Sequence, residues 1–199
     1  MSRHSLTPSP YSTIGPFFLK PLVDGCDDLT QWNGQAARGP QILLAGRVVE
    51  DRNAPVLNAI VEIWQADANG IFPHPLDSRS AQADPGFFGW GRTRTDRDGR
   101  YQFRTILPGG SREENGVLRC PHINVMVLAI GVTRRLVTTT FFSDAPSSVE
   151  DPVLCCVPPG PPRARLFAVR DPSLDAGGAP AYRFDIVLRG ENETPFFLD

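Results

Sequence analysis

Prolines occur throughout this chain, and their density limits what the chain can fold into. The sequence holds 20 prolines among 199 residues, which is about twice the usual frequency. Proline removes a backbone donor and clashes with the preceding helical turn, so long helices cannot run through such a chain. Turns, loops and sheet edges tolerate it. The composition therefore predicts an all-β domain with long ordered loops.

Short β-prone runs separated by turn clusters predict an antiparallel β-sandwich. Tyr182, Phe184, Ile186 and Leu188 alternate with more polar residues and give the clearest period-two signal. Asp98-Gly99 is typical of a hairpin turn, residues 66–91 predict a long ordered loop, and residues 163–169 allow one or two helical turns. The other predicted strands cover residues 42–49, 59–65, 100–106, 119–128 and 135–142.

Residues 1–40 show little periodicity and predict an N-terminal arm, while residues 41–199 form the predicted sandwich domain. The arm carries an apolar cluster around Gly15-Pro16, two adjacent phenylalanines and Trp32. Exposing such a cluster to water is unfavourable, so we expect the arm to dock on its own sandwich or on a partner chain.

Charge and hydropathy exclude several classes of function. Twenty basic and 22 acidic residues give a net charge of −2, which argues against a nucleic-acid surface. The sequence contains neither a membrane-length apolar run nor a signal peptide, so we expect a cytoplasmic protein. Cys26, Cys120, Cys155 and Cys156 lack metal-binding spacing, and we expect them to be small apolar fillers.

The run Arg119–Leu128 contains the candidate site. In a strand, His122, Asn124, Met126 and Leu128 project to one face and Ile123, Val125 and Val127 to the other. An iron site on such a strand would use imidazoles at positions i and i+2. Asn124 occupies the second position, and an amide ligates transition metals poorly. The strand therefore keeps one of the two imidazole ligands that such a metal site would need.

Three segments carry a resemblance to the intradiol ring-cleavage dioxygenases. They are Gly46–Phe72, Thr95–Gly109 and Ala181–Arg189, and their order and spacing match over essentially the whole chain. The resemblance implies a β-sandwich and cleavage of a catechol, here 3,4-dihydroxybenzoate, by dioxygen at a ferric ion held by two tyrosines and two histidines. Phenolate and imidazole donors suit that ion.

The resemblance also implies where the iron ligands would fall. The two tyrosines correspond to Phe72 and to about Ser111, and the two histidines correspond to His122 and Asn124. One ligand of four remains, so we expect no metal and no catalytic residue in this chain. His122 is then expected to be a buried histidine that hydrogen-bonds the backbone or Asn124, and Trp64 is expected to pack in the core.

A non-catalytic member of this family is expected to work with a partner. The resemblance implies a non-iron-binding alpha subunit that pairs with a homologous beta chain, which holds the Fe(III). The alpha chain's arm would line the partner's substrate pocket through Thr13, Gly15 and Pro16. An arginine near that pocket corresponds to Ile130 here, and Arg134 or Arg135 are candidate replacements for its charge.

Two alternatives stay open from the sequence. The chain could be a stand-alone binding or structural sandwich that kept the fold and lost the chemistry. It could also be a homomeric iron enzyme with shifted ligands, although Tyr11, Tyr101 and Tyr182 are few and poorly placed for that purpose. His74 is the available additional imidazole, but prolines on both sides restrict its backbone.

Overall fold

The computed structural model describes residues 13–15, 25–113, 116–144 and 151–197. Strands dominate this part of the chain, and none of its helices is long and apolar enough to cross a membrane. The strands are β1 (Gln31–Trp32), β2 (Gln35–Ala36), β3 (Gln41–Val49), β4 (Ile60–Gln65), β5 (Trp90–Arg94), β6 (Arg100–Ile106), β7 (Ser111–Arg112), β8 (Leu118–Arg119), β9 (His122–Leu128), β10 (Leu136–Phe142), β11 (Phe167–Arg170), β12 (Ala181–Arg183) and β13 (Ile186–Val187). Two short helices, α1 (Pro152–Cys156) and α2 (Pro161–Ala164), lie between β10 and β11.

A single nine-stranded sheet curls around the core. Its order is β13-β3-β12-β11-β10-β9-β4-β5, with β6 also paired to β3. The all-β prediction is confirmed, but the antiparallel prediction holds only in part. The pairs β10–β11, β12–β3 and β13–β3 are parallel. A parallel pair needs a long connection, and α1 and α2 lie in the one that joins β10 to β11.

The turn at Asp98-Gly99 forms as predicted, but the hairpin does not. Gly99 N–H donates to the Asp96 carbonyl at 3.0 Å, and Asp96 N–H donates to Arg100 O at 3.0 Å. The strands on either side then pair with different neighbours, β5 with β4 and β6 with β3. The turn therefore connects the half of the curled sheet that contains β4 and β5 to the half that contains β3 and β6.

The inner faces of the two halves form the core. Tyr101 and Phe103 of β6 are 4% and 0% exposed, whereas Gln102 and Arg104 point to solvent, as the alternation predicted. In β9, Ile123, Val125 and Val127 enter the same core. A second apolar cluster lies beneath the two helices and contains Cys120, Phe141, Leu154, Val157 and Leu166.

The predicted strand at residues 182–188 is interrupted at Phe184-Asp185. β12 and β13 lie on either side of this break, and both pair with β3. The Phe184 carbonyl turns toward the core and accepts a 2.6 Å hydrogen bond from the buried Tyr101 hydroxyl. A Cβ atom at Gly46 would lie 1.9 Å from that carbonyl oxygen. Glycine at position 46 therefore allows the close approach of the two backbones.

Two local predictions are wrong. The helical turns predicted for residues 163–169 are limited to α2, and Phe167–Arg170 form a strand because Phe141 and Phe142 of β10 pair with them. Cys155 and Cys156 lie exposed at the end of α1, so they are not apolar fillers, whereas Cys120 is buried as expected. The helix is too short to bury all of its sides.

We predict that Tyr101→Phe lowers the free energy of unfolding by about 1–3 kcal/mol, because the Phe184 carbonyl loses its buried donor. Urea unfolding measures this change. Tyr182→Phe is the matched control, since its hydroxyl donates at 2.9 Å to the exposed Asp144. The control should lose less stability than Tyr101→Phe, and equal losses would contradict the role assigned to the Tyr101 hydroxyl.

Candidate functional site

The sequence-predicted ligand positions come together in one cleft at the start of β9. We call it the β9 cleft; it has a volume of about 570 Å³. Phe72, Ser111, His122 and Asn124 all line it, although they come from three separate segments, namely the loop after β4, the start of β7, and β9. Other residues that line the β9 cleft include Trp64, His74, Asp77, Arg79, Glu113 and Arg119.

A buried carboxylate organises the loop that forms one wall of the β9 cleft. Asp67 is 1% exposed. One of its oxygens accepts from the backbone N–H groups of Asn69 and Ile71 at 2.9 and 3.0 Å, and the other accepts from Asp84 N–H at 2.9 Å. These bonds join both ends of the long segment between β4 and β5. The predicted ordered loop is therefore confirmed, and its order comes from Asp67.

A close backbone contact brings Phe72 near Ser111. Gly70 has a φ of +74°, and a Cβ atom there would lie 1.9 Å from the carbonyl oxygen of Gly110. Only glycine permits both the left-handed conformation and this approach. The loop from β4 thus packs directly on the turn that begins β7, where Ser111 is 4% exposed.

Aromatic rings form the apolar wall of the β9 cleft. The rings of Phe72 and Trp64 stack with centroids 5.7 Å apart and planes 23° from parallel. The His74 ring meets Trp64 edge-on at 6.2 Å. Trp64 is half-buried and faces outward beside Asn124 of β9. The prediction that Trp64 packs in the core is wrong, because its position in β4 places it on the outer face of the sheet.

His122 is buried and held by the backbone. It is 4% exposed, and its Nδ1 lies 2.7 Å from the Cys120 carbonyl oxygen. A carbonyl can only accept, so Nδ1 carries the proton and Nε2 is an acceptor. Burial and, after it, the nearby Arg119 charge lower the pKa of His122 to about 4, although the hydrogen bond to Cys120 and the charges of Asp151 and Glu113 act to raise it. The predicted backbone hydrogen bond is confirmed.

Asn124 is also held by its neighbours. Thr139 Oγ1 on the adjacent strand donates to Asn124 Oδ1 at 3.0 Å, and Asn124 is paired in register with both Thr139 and Trp64. The side chain of Asn124 therefore makes a cross-strand hydrogen bond in place of the bond that an imidazole would make to a metal. No bond between His122 and Asn124 is present in the described residues.

The residues of the β9 cleft do not fit the ferric site that the resemblance implies. Phe72 offers no oxygen, and the Ser111 hydroxyl is far less acidic than a phenol. His122 supplies one imidazole, while His74 Nδ1 accepts from Leu76 N–H at 3.2 Å. Within the described ranges, no group of three His, Cys, Asp or Glu side chains could hold a metal ion. These side chains therefore cannot form a ferric site of two phenolates and two imidazoles.

Sequence patterns missed the ionic residues of the β9 cleft. Arg119 Nε donates at 3.0 Å to Asp151, which is 1% exposed, and its Nη1 donates at 3.3 Å to Glu113. Arg119 Nη2 is buried and has no hydrogen-bond partner among the described residues. Asp151 follows Arg119 by 32 positions, so no local spacing rule connects the two residues.

Asp77 and Arg79 form a second ionic contact at the β9 cleft. Their side chains pair at 3.0 Å, and Asp77 also accepts from the backbone N–H of Phe72 at 3.1 Å. Partial burial acts to raise the pKa of Asp77, but the hydrogen bonds from Arg79 and Phe72 outweigh it and lower this pKa below its ordinary value. Asp77 thereby fixes Phe72 against Trp64.

The predicted arm residues lie at the opposite end of β9. Thr13 Oγ1 donates to Ala129 O at 3.3 Å and accepts from Gly131 N–H at 2.8 Å. These contacts flank Ile130, which is 64% exposed. Gly15 lies two residues further along the arm, and Pro16 lies outside the described residues. The structure thus brings Thr13 beside Ile130, at a distance from the β9 cleft.

Comparisons with known proteins identify the family. A dioxygenase family profile matches residues 14–190. The chain is 36% identical to the protocatechuate 3,4-dioxygenase alpha chain of Pseudomonas putida, over 97% of this chain and 94% of that protein. The chain belongs to the intradiol dioxygenase family. The chain is also 40% identical to the protocatechuate 3,4-dioxygenase beta chain of Burkholderia cepacia. This match covers 79% of the present chain and 68% of that protein.

Solved structures of intradiol dioxygenases share the fold. The hydroxyquinol 1,2-dioxygenase of Pseudomonas putida superposes with a TM-score of 0.63 over 93% of this chain and 68% of that chain, at 23% identity. Likeness at this identity supports the fold alone. The relatives above are chains of protocatechuate 3,4-dioxygenases, and this chain shares their family.

We predict that His122 makes the protein less stable in mild acid. Its pKa in the folded protein is about 4, against an ordinary value of 6.5. Between these two pH values, His122 is therefore protonated in the unfolded chain and neutral in the folded chain. The contribution of His122 to the free energy of unfolding is present in full well above pH 6.5. It is lost as the pH falls, and the loss is about 2 kcal/mol at pH 5 relative to pH 8.

Urea unfolding of the original protein and of His122→Phe at pH 8 and pH 5 measures this contribution. The other titrating groups are common to both proteins, so the difference between their pH dependences reports His122. His122→Phe should lose less stability on acidification. Identical losses would show that His122 is not held neutral by burial.

Proposed function

We propose that this chain is the non-iron-binding alpha subunit of a protocatechuate 3,4-dioxygenase. In this proposal it completes the active site of a homologous beta chain, which holds the Fe(III). The assembled enzyme cleaves 3,4-dihydroxybenzoate with O2 to 3-carboxy-cis,cis-muconate, a step in aromatic catabolism. The observation that carries the proposal is the β9 cleft, where Phe72, Ser111 and Asn124 replace three of the four expected ligands.

Sequence identity by itself does not separate the alpha and beta alternatives. Identity is higher to a beta chain, at 40%, but this match covers 79% of the chain. Matches to two alpha chains cover 97%, at 36% and 34% identity. The side chains at the ligand positions favour the alpha assignment, because a beta chain that catalyses the reaction would need its phenolate and imidazole donors.

The position of the arm supports a role at a boundary between chains. Thr13 contacts the turn after β9, whereas His122 begins β9. A strand of this length spans about 20 Å, so Thr13 does not reach the β9 cleft of its own chain. In the proposed assembly, Thr13, Gly15 and Pro16 line the partner's substrate pocket.

The charge of the proposed substrate also favours this end of β9. Benzoates are anions, and the β9–β10 connection carries the exposed residues Arg134 and Arg135. Ile130 of the same connection supplies no charge. We propose that one of these two arginines attracts the substrate carboxylate. In this proposal the partner chain carries out the redox chemistry, and the present chain helps to bind and orient the substrate.

We predict that the chain purified alone carries far less than one iron per chain and cleaves no catechol. Co-expression with a homologue that keeps two tyrosines and two histidines at the ligand positions should give a stable complex with ring-cleavage activity on 3,4-dihydroxybenzoate. Metal analysis and oxygen uptake measure both results. Near-stoichiometric ferric iron in the isolated chain would contradict the proposal. A homomer that never joins such a homologue would favour a stand-alone sandwich.

We further predict that Thr13→Ala raises KM for 3,4-dihydroxybenzoate about fivefold in the assembled enzyme, with a smaller change in kcat. The variant removes hydroxyl hydrogen bonds worth about 1 kcal/mol, so the arm is held less firmly. Ser173→Ala is the matched control, because its hydroxyl also makes a hydrogen bond, to Asp171 at 2.6 Å, on the exposed surface. Equal KM values for the two variants would contradict a substrate-pocket role for the arm.

A further inference from the structure

Two adjacent thiols lie exposed on α1, and the proposed function gives them no role. Cys155 and Cys156 are the last two residues of this helix, and both are exposed. They are the one pair of neighbouring cysteines in the sequence, and neither is among the described residues that line the β9 cleft. Exposed thiols can react with a reagent from solvent, whereas buried ones stay inert. The pair is therefore accessible to a ligand that needs two sulfurs.

The backbone beneath the two thiols is held firmly. Asp151, which is 1% exposed, accepts from Val153 N–H at 3.0 Å through its side chain and from Cys155 N–H at 2.9 Å through its carbonyl. Leu154, next to Cys155, is buried in the second apolar cluster. Turning the thiols inward would expose Leu154 to water. A ligand that binds both thiols therefore has little additional backbone to order.

The end of α1 leaves room for the two sulfurs to approach each other. Val157 follows Cys156 with extended backbone, at φ −105° and ψ 130°, so no further helical turn crowds the Cys156 sulfur. Successive helical side chains point about 100° apart around the axis. Each cysteine places its sulfur after a single rotatable bond, and rotation about these two bonds changes the distance between the sulfurs. The two thiols can therefore bind one atom together.

A disulfide between these neighbours is unfavourable. Consecutive Cα atoms lie about 3.8 Å apart, whereas disulfides usually join Cα atoms about 4.4–6.8 Å apart. Closing the bond would distort a helix that Asp151 and Leu154 hold in place. An atom inserted between the sulfurs relieves this restraint, because the sulfurs then stay further apart than the about 2.05 Å of a disulfide. The pair therefore favours a bridging atom over a disulfide of its own.

The number of donors limits the class of ligand. Structural zinc sites take four protein ligands, and no group of three His, Cys, Asp or Glu side chains in the described ranges could hold a metal ion. A trivalent arsenical with one fixed organic group exchanges only two oxygens, which matches two thiols. Thiolates are soft donors, and trivalent arsenic is a soft acceptor.

We propose that Cys155 and Cys156 form a binding site for trivalent arsenicals, in which one arsenic atom bridges both sulfurs. Two As–O bonds of the hydrated arsenical break and two As–S bonds form. The two thiol protons leave with the oxygens in two molecules of water. Arsenic stays trivalent throughout, so the step needs neither an oxidant nor a reductant.

Mass spectrometry of the purified full chain after treatment with phenylarsine oxide, without denaturant, tests this site. One adduct per chain should form, with the mass of phenylarsine oxide less one molecule of water. The adduct should survive an excess of glutathione, which has one thiol, and be released by dithiothreitol, which has two. No adduct, two adducts per chain, or release by glutathione would overturn the proposal.

Single substitutions distinguish a bridge from two independent thiols. Cys155→Ser and Cys156→Ser each leave one sulfur, so each should weaken retention of the arsenical against glutathione on the order of a hundredfold, because the second, intramolecular As–S bond is lost. Cys26→Ser is the matched control, since it also removes one thiol, from a half-buried position outside α1, and it should keep full retention. Full retention in either α1 variant, or an equal loss in the control, would overturn the proposal.

Discussion

Side chains alternate along β9, and this alternation determines both the core and the candidate site. β9 is hydrogen-bonded to β4 on one side and to β10 on the other. Ile123, Val125 and Val127 are fully buried between the two halves of the sheet. A shift of one residue in register would exchange the faces and place Asn124 in the core. The buried valines therefore fix the positions of His122 and Asn124 in the β9 cleft.

The residues that replace the expected iron ligands make stabilising contacts of their own. Without a metal, two tyrosines here would be neutral phenols, and their hydroxyls would need hydrogen-bond partners in a partly buried cleft. Phe72 has no charge and gains a stacked contact with Trp64, while Asn124 gains a hydrogen bond from Thr139. His122 remains, but burial keeps it neutral and the Cys120 carbonyl holds it. The four ligand positions thus carry uncharged side chains, and the ion pairs of the β9 cleft lie at Arg119 and Arg79 instead.

Local signals in the sequence predicted most of the strands, because each of these strands carries its own alternation of apolar and polar residues. The alternation in β6 and β9 is set by burial on one side, and it was visible without tertiary information. The interruption at Phe184-Asp185 was not, since it depends on Tyr101 and Gly46, which are distant in the chain. The turn at Asp98-Gly99 was correctly predicted, but strand partners depend on the curl of the whole sheet.

The same distinction applies to the β9 cleft. Phe72, Ser111, His122 and Asn124 were predicted through family resemblance, and the close packing of Gly70 on Gly110 brings them together. Arg119 and Asp77 were missed, because their roles depend on partners that no periodicity relates to them. Trp64 was misplaced, since a large apolar side chain in a strand can face either the core or an outer cleft. Sequence patterns show which residues of a strand share a face more reliably than they show which face meets the core and which lines a cleft.

The two ends of β9 carry different chemical features, and this separation bears on how the chain works. One end presents the aromatic wall of the β9 cleft, and the other presents Thr13 beside Ile130 and two exposed arginines. The strand is rigidly paired along its length, so its ends stay about 20 Å apart. Thr13, which is held at the far end by Ala129 and Gly131, therefore lies away from the β9 cleft of its own chain. The separation of the two ends therefore fits the proposal that Thr13 serves a substrate site of a partner chain and not the β9 cleft.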